Sequence, residues 1–187
     1  MIVRWGLDAL PSVLAEVGSE EPLLVTTERW RGLDLPAANA FFGVESHGSP
    51  ESVAEATAAA EGADGLLAVG GGSAIDTAKA VSAATGLPVV SVPTTYSGAE
   101  WTRGFGVRDE ARRVKGGGVG AHVAGIVYEP ELTYDLPPGE SGVTGGLCGL
   151  LVVGKRVVVE RGGGVLTDLL RPDHVLRLGV DGLLRRA

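Results

Sequence analysis

The chain has 187 residues, suited to one domain with or without a small appendage, and a formal net charge of −7, the wrong sign for a general binder of nucleic acid or of an anionic membrane surface. Hydrophobic residues make up 44% but aromatics only 5%, so the core must be built mainly from Ala, Val and Leu. A single cysteine, Cys148, excludes an intrachain disulfide and a cysteine-rich zinc site.

"IVRWG" and "EPLLVTT" are predicted strands, joined by a helix over "LDALPSVLAEVG" that Gly18 ends and whose first turns accept Pro11. "ERWRGLDLPAANA" is a mixed connector and "FFGVES" a short strand candidate. "SPESVAEATAAAEG" has the start signals of a helix: Ser49 to cap, Pro50 at the first position, Glu51 near the positive end of the dipole. "GLLAV" is an apolar run of strand length, Asp76–Ala84 is helical and stopped by Gly86, and "LPVVSVP" is a further buried strand. Strand and helix thus alternate to about residue 95, the pattern of a parallel sheet covered by helices on both faces.

"RGFGVRDEARRVKGGG" then reads as a β-hairpin turning at "RDEAR", and "AGIVYEP" as a strand. "PPGESGVTGGLCGLL" looks like a helix start interrupted by four glycines. Charge reverses near the end: Lys and Arg number 9 against 19 Asp and Glu up to residue 150, and 7 against 4 after it. The expected division is residues 1–145 as an α/β domain and 146–187 as a divergent tail of short helices or partly disordered chain. No apolar run reaches the ~18 residues of a membrane span. "MIVRWGLDAL" lacks the pattern of a signal peptide, so a cytoplasmic location is expected.

The segment with the most chemistry is Gly70-Gly71-Gly72-Ser73 between a strand and a helix. Glycines admit a ligand close to the backbone, and the first helical N–H groups favour an anion. Ser73 is placed to cap, with Asp76 three residues on as in a capping box and Lys79 able to pair with Asp76. On the glycines alone, a capped helix and a phosphate site both stand; the spacing is neither GxGxxG nor GxxxxGK[ST]. Thr94, Thr95 and Tyr96 follow the next strand, on the edge where open α/β sheets bind ligands, and a cleft shared with the glycines is expected.

Taken together, "GGGSAIDTAK" and "PTTYSGAE" resemble the paired motifs GGGSxxDxxK and PTTxxGxE of the iron-containing (group III) alcohol dehydrogenase family. The matching residues are Gly70, Gly71, Gly72, Ser73, Asp76, Lys79, Pro93, Thr94, Thr95, Gly98 and Glu100. Tyr96 points to its maleylacetate reductase branch, and "IVYEPELTYDLPP" is similar to a third segment, with Glu129 where the family usually has Asp. The resemblance covers roughly residues 2–147. It implies a Rossmann-like domain binding NAD or NADP. Gly70–Ser73 would hold the pyrophosphate, Asp76 of the same motif would count among the cofactor-binding residues, Thr94, Thr95 and Tyr96 would line the adenosine side, and Lys115 would approach the nicotinamide ribose. It also implies an oxidoreductase that passes hydride to a small carbonyl substrate such as maleylacetate. At the end of the second strand, where NAD-preferring members often carry an acid, this chain has Thr26-Thr27 before Glu28, which leaves NADP open.

Past residue 145 the resemblance fails. Cys148 and Val152 stand where the family's first metal ligands fall, and His47, His122 and His174 have no ligand-spaced partners, so no bound metal is expected. The family's all-helical C-terminal domain does not align to the tail. The alternatives are therefore an enzyme completed by a partner or by the tail, a nucleotide-binding module without catalysis, a truncated or frameshifted product, and a dehydroquinate synthase-like lyase, against which "PTTYSGAE" argues. A homodimer with the tail in its contact is expected, and no residue is assigned a catalytic role.

Overall fold

The computed structural model describes residues 1–46, 48–109 and 113–136, and beyond them the backbone of five strand segments between 150 and 186. Six strands form one parallel sheet: β1 (Ile2–Trp5), β2 (Pro22–Val25), β3 (Asn39–Phe41), β4 (Gly65–Gly70), β5 (Pro88–Pro93) and β8 (His122–Tyr128). Their order is β1-β8-β5-β4-β2-β3. The inner strands β2 and β4 are buried at every residue, as expected of a parallel sheet covered on both faces.

The side-chain alternation of the strands sorts the core into two layers. Leu23, Val25, Leu66, Ala68 and Val89 pack with Ala56 of α2 (Pro50–Ala59), with Ala60 at its C-cap, and with Ile75, Ala78 and Val81 of α3 (Gly72–Thr85). Leu24, Leu67, Val69, Val90 and Val92 are buried on the opposite face. There α1 (Leu10–Glu16) brings Val13 over Gly125, the register partner of Val90; a Cβ on Gly125 would lie 2.9 Å from Val13 Cγ1. Small residues along α3 allow it to sit close to the sheet, which is how a chain poor in aromatics fills its interior.

The boundaries follow from local chemistry. Ser49 caps α2 by accepting from Ser52 N–H at 3.0 Å, with Pro50 in its first turn, as the sequence predicts. Gly86 ends α3 at φ 83. The "FFGVES" strand lies earlier than expected, at Asn39–Phe41, while Gly43 makes an isolated bridge to Thr27. At the amino edge of the sheet, Asp64 accepts from Ser19 Oγ at 2.8 Å and from the N–H groups of Glu20 and Glu21, tying the turn before β2 to the start of β4. Glu129 accepts from Leu7 N–H at 3.1 Å.

The predicted hairpin forms from β6 (Gly104–Asp109) and β7 (Val114–Val119), antiparallel from Gly104↔Val119 to Asp109↔Val114. It packs along α3.

The chain divides into two units, Met1–Pro93 with Ala99–Glu129, and Thr94–Gly98 with Pro130–Ala187. In the second unit, a turn at Pro130–Thr133 is closed by Thr133 Oγ1 donating to Pro130 O at 2.7 Å. Strands β9 (Leu150–Val153), β10 (Arg156–Arg161) and β11 (Gly164–Leu166) form an antiparallel sheet, and β12 (Leu176–Leu178) pairs with β13 (Leu184–Arg186). The described tail residues are therefore strands, not the expected short helices. "LLVV" and "RVVVER" are rich in β-branched valine, which favours the extended chain over the helical spacing of the leucines. The glycine-interrupted helix start before Leu150, and Cys148 with it, lies outside the described residues.

Candidate functional site: the glycine turn at the carboxyl edge

The chain leaves β2 for β3 on one side and leaves β4 for β5 on the other, so the neighbouring carboxyl ends of β2 and β4 form the point at which connections diverge. Open α/β sheets bind ligands in the crevice at such a point. Gly70 stands there with φ 148, a conformation that L side chains rarely adopt, and a Cβ on it would lie 2.8 Å from Ala74 Cβ. Gly71 is the N-cap of α3, and its carbonyl accepts from Ala74 N–H at 3.1 Å and Ile75 N–H at 3.2 Å. The N–H of Gly72 has no intrahelical partner and lies at the positive end of a 14-residue helix.

The expected capping box does not form. The helix begins at Gly72, so Ser73 is already inside it and no side chain caps Gly71. Asp76 falls in the second turn, beyond reach of the cap. Its Oδ2 instead accepts from Gly106 N–H on β6 at 3.0 Å, and its Oδ1 lies 2.7 Å from Lys79 Nζ, the pairing the sequence predicts. Lys79 is 1% exposed and also donates to Ala99 O at 2.8 Å, to Gly104 O and to Thr102 Oγ1. One buried ammonium thus fastens the start of the hairpin to the helix that follows the glycines. Only the i,i+3 spacing of this network was visible in the sequence.

Glu100 is 1% exposed, and its Oε1 accepts from Tyr128 OH at 3.0 Å, which in turn accepts from Trp101 Nε1 at 2.8 Å. Burial pushes the Glu100 carboxyl above the usual carboxylate range, against the hydrogen bonds and the Lys79 charge that pull it down. Trp5 stacks on Tyr128, ring centroids 4.9 Å apart. Sequence reasoning missed this cluster because Tyr128 is brought to Glu100 and Trp101 by tertiary packing.

Thr94, Thr95 and Tyr96 follow Pro93, the register partner of Gly70. They belong to the second unit, where Thr94 and Tyr96 are buried and Thr95 is half-buried. Lys115 is exposed on β7 opposite Arg108. Of the histidines, His122 starts β8 with its N–H donating to Ser82 Oγ at 2.9 Å, while His47 and His174 lie outside the described residues. Among the described residues no group of three or more His, Cys, Asp or Glu converges to hold a metal. The three glycines do fit a dinucleotide: they give a turn without side chains, with Gly70 at a φ that only glycine adopts readily, closed by a helix N-terminus, as a pyrophosphate needs.

The sequence model for iron-containing alcohol dehydrogenases matches residues 4–124. The maleylacetate reductase of Pseudomonas knackmussii is 36% identical over 141 residues, covering 70% of this chain and 40% of that protein. That of Burkholderia cepacia is 37% identical over 148 residues, covering 72% and 42%. The chain therefore spans about 40% of the length of these curated relatives. Among solved structures, maleylacetate reductase from Rhizobium sp. strain MTP-10005 superposes with TM-score 0.70 and 28% identity, covering 78% of this chain and 45% of that one. The sulfoacetaldehyde reductase of Bifidobacterium kashiwanohense, solved with NAD+, shares the fold at TM-score 0.68 and 21% identity, over 79% and 49%.

Proposed function

We propose that this chain, which belongs to the iron-containing alcohol dehydrogenase family, holds a nicotinamide dinucleotide at its glycine turn and serves an oxidoreductase that passes hydride to a small carbonyl compound, with maleylacetate as the first candidate. The observation that carries the reading is Gly70 at φ 148, leading straight into the N-terminus of α3 at the edge where β2 and β4 diverge. The pyrophosphate would accept from the backbone at Gly70–Ser73, and the helix dipole would offset its charge. Asp76 and Lys79 would serve by fixing the hairpin beside α3. The assignments of Thr94, Thr95 and Tyr96 to the adenosine side and of Lys115 to the nicotinamide ribose are part of the same proposal. So is the functional division into residues 1–145 and a separate tail.

When bound, the reduced nicotinamide supplies the hydride. The residues of the glycine turn would bind and orient it. The test is to titrate NADH and NADPH into the full chain while following nicotinamide fluorescence, then to add maleylacetate and follow the loss of reduced-nicotinamide absorbance. A saturable signal with turnover supports the whole reading. Binding without turnover reduces it to a nucleotide-binding module. No saturable signal with either nucleotide refutes both.

A further inference from the structure

The short turn Ala99–Trp101 packs against α3 and β8. The ionisable residues of those elements are Asp76 and Lys79 on α3 and His122 and Tyr128 on β8, with Glu100 on the turn itself. His122 opens β8 whereas Tyr128, which bonds Glu100, closes it, so His122 lies a strand's length away. Arg103, just past the turn, donates through Nε to Ala121 O at 3.1 Å. What gathers about the turn is therefore two carboxylates, one ammonium and one phenol.

The ammonium serves one of the two carboxylates. It has three N–H donors, and they meet Asp76 Oδ1, Ala99 O, Gly104 O and Thr102 Oγ1. Ala99 precedes Glu100 in the chain, so Lys79 is bonded to the very turn that carries the second carboxylate. Glu100 Oε1 accepts from Tyr128 OH, but Oε2, equally buried, has no hydrogen-bond partner among the described residues. The Asp76 side chain is 26% exposed and Glu100 is 1% exposed. Asp76 can exchange its counter-ion for water, whereas an ionised Glu100 needs a partner inside the protein. Burial pushes the Glu100 carboxyl up, and the Lys79 charge is among the influences that oppose it.

We infer that Asp76 and Glu100 compete for the Lys79 ammonium in a proton-linked exchange that sets how firmly the hairpin is anchored. While Glu100 is protonated, Lys79 pairs with Asp76, which in turn accepts from Gly106 N–H. As pH rises and Glu100 loses its proton, Oε2 becomes a buried charged acceptor, and one N–H of Lys79 turns from Asp76 to it. Asp76 is then left to Gly106 N–H and solvent. Gly106 belongs to the hairpin that carries Lys115, so loss of a proton at the turn is felt along β6 and β7.

The test is a pH titration of the full chain by NMR, from about pH 4 to about pH 9, following the Gly106 amide and the Trp101 indole N–H. It is run on the unaltered protein and on Glu100→Gln, Asp76→Asn and Tyr128→Phe. In the unaltered protein the two signals should move together, with one midpoint above the ordinary 4.5 of a glutamate. Glu100→Gln should abolish the movement of both. Asp76→Asn removes the competitor, so the Trp101 midpoint should fall by about one pH unit or more. Tyr128→Phe keeps the ring and removes a hydrogen bond to the carboxyl group, so the Gly106 midpoint should rise; it checks the assignment should Glu100→Gln fail to fold. A titration that survives Glu100→Gln, or a midpoint that Asp76→Asn leaves in place, overturns the exchange. So does a Gly106 signal that stays still while Trp101 titrates, which would make Glu100 an isolated buried acid.

Discussion

Lys79 Nζ lies 2.7 Å from Asp76 Oδ1 while the lysine side chain is 1% exposed and the aspartate 26%. A buried charge is tolerable only when paired and hydrogen-bonded, and Lys79 has Asp76, two carbonyls and a hydroxyl around it. Lys79→Met strands Asp76 and the carbonyls of Ala99 and Gly104, and should cost about 3–5 kcal/mol in urea unfolding. Asp76→Asn keeps an acceptor for Gly106 N–H and loses only the charge pairing, so about 1–3 kcal/mol is expected. The Gly106 amide should exchange faster in both. Unchanged unfolding midpoints in the Lys79 variant would contradict this account of the hairpin's anchor.

Two glycines should behave differently when given a methyl group. Gly125→Ala drives a Cβ against Val13 and Val90 beneath α1, an overpacking cost of about 1–3 kcal/mol, with dinucleotide affinity unchanged. Gly70→Ala strains a positive φ and meets Ala74, costing about 1–3 kcal/mol and also abolishing the fluorescence signal. Equal affinity in the two variants would separate Gly70 from binding.

The pH dependence of stability has opposing contributions. Glu100 is raised by burial above its ordinary 4.5, so the folded state holds that proton more tightly. Its contribution is complete below 4.5 and is lost as pH rises through the raised value. For Asp64, burial pushes upward, but bonds from Glu20 N–H, Ser19 Oγ and Glu21 N–H hold the carboxyl below its ordinary 3.8. Its contribution is complete above 3.8 and is lost as pH falls through the depressed value. Melting curves at closely spaced pH should show Glu100→Gln flattening the loss on the alkaline side and Asp64→Asn the loss on the acid side. Parallel profiles for both variants and the parent would contradict the assignment.

The sheet was legible because its signals are local. "GLLAV" and "LPVVSVP" are continuous apolar runs, Ser49-Pro50 marks a helix start, and Gly86 marks a stop. The cap of α3 was misread because Ser73 is the better capping residue by type, whereas Gly71 alone follows a residue at φ 148. The described tail segments Leu150–Val153 and Arg156–Arg161 are strands where short helices were expected, because their valines favour strands while the leucines have helical spacing, and period alone does not decide between them. The roles of Thr26 and Glu100 depend on a strand neighbour and a packed ring that no linear spacing reveals.

The central claim is that a dinucleotide rests on the N-terminus of α3. Gly72→Asp tests it most directly, because a carboxylate in the first turn favours the helix by about 0.3–1 kcal/mol yet repels a pyrophosphate at the same place. The measurement is a paired thermal melt and fluorescence titration with NADH and with NADPH, of this variant beside the parent chain. The account predicts a melting temperature equal to or above the parent's and no saturable signal with the nucleotide that the parent binds. A variant that melts like the parent and still binds that nucleotide with the parent's affinity would contradict it.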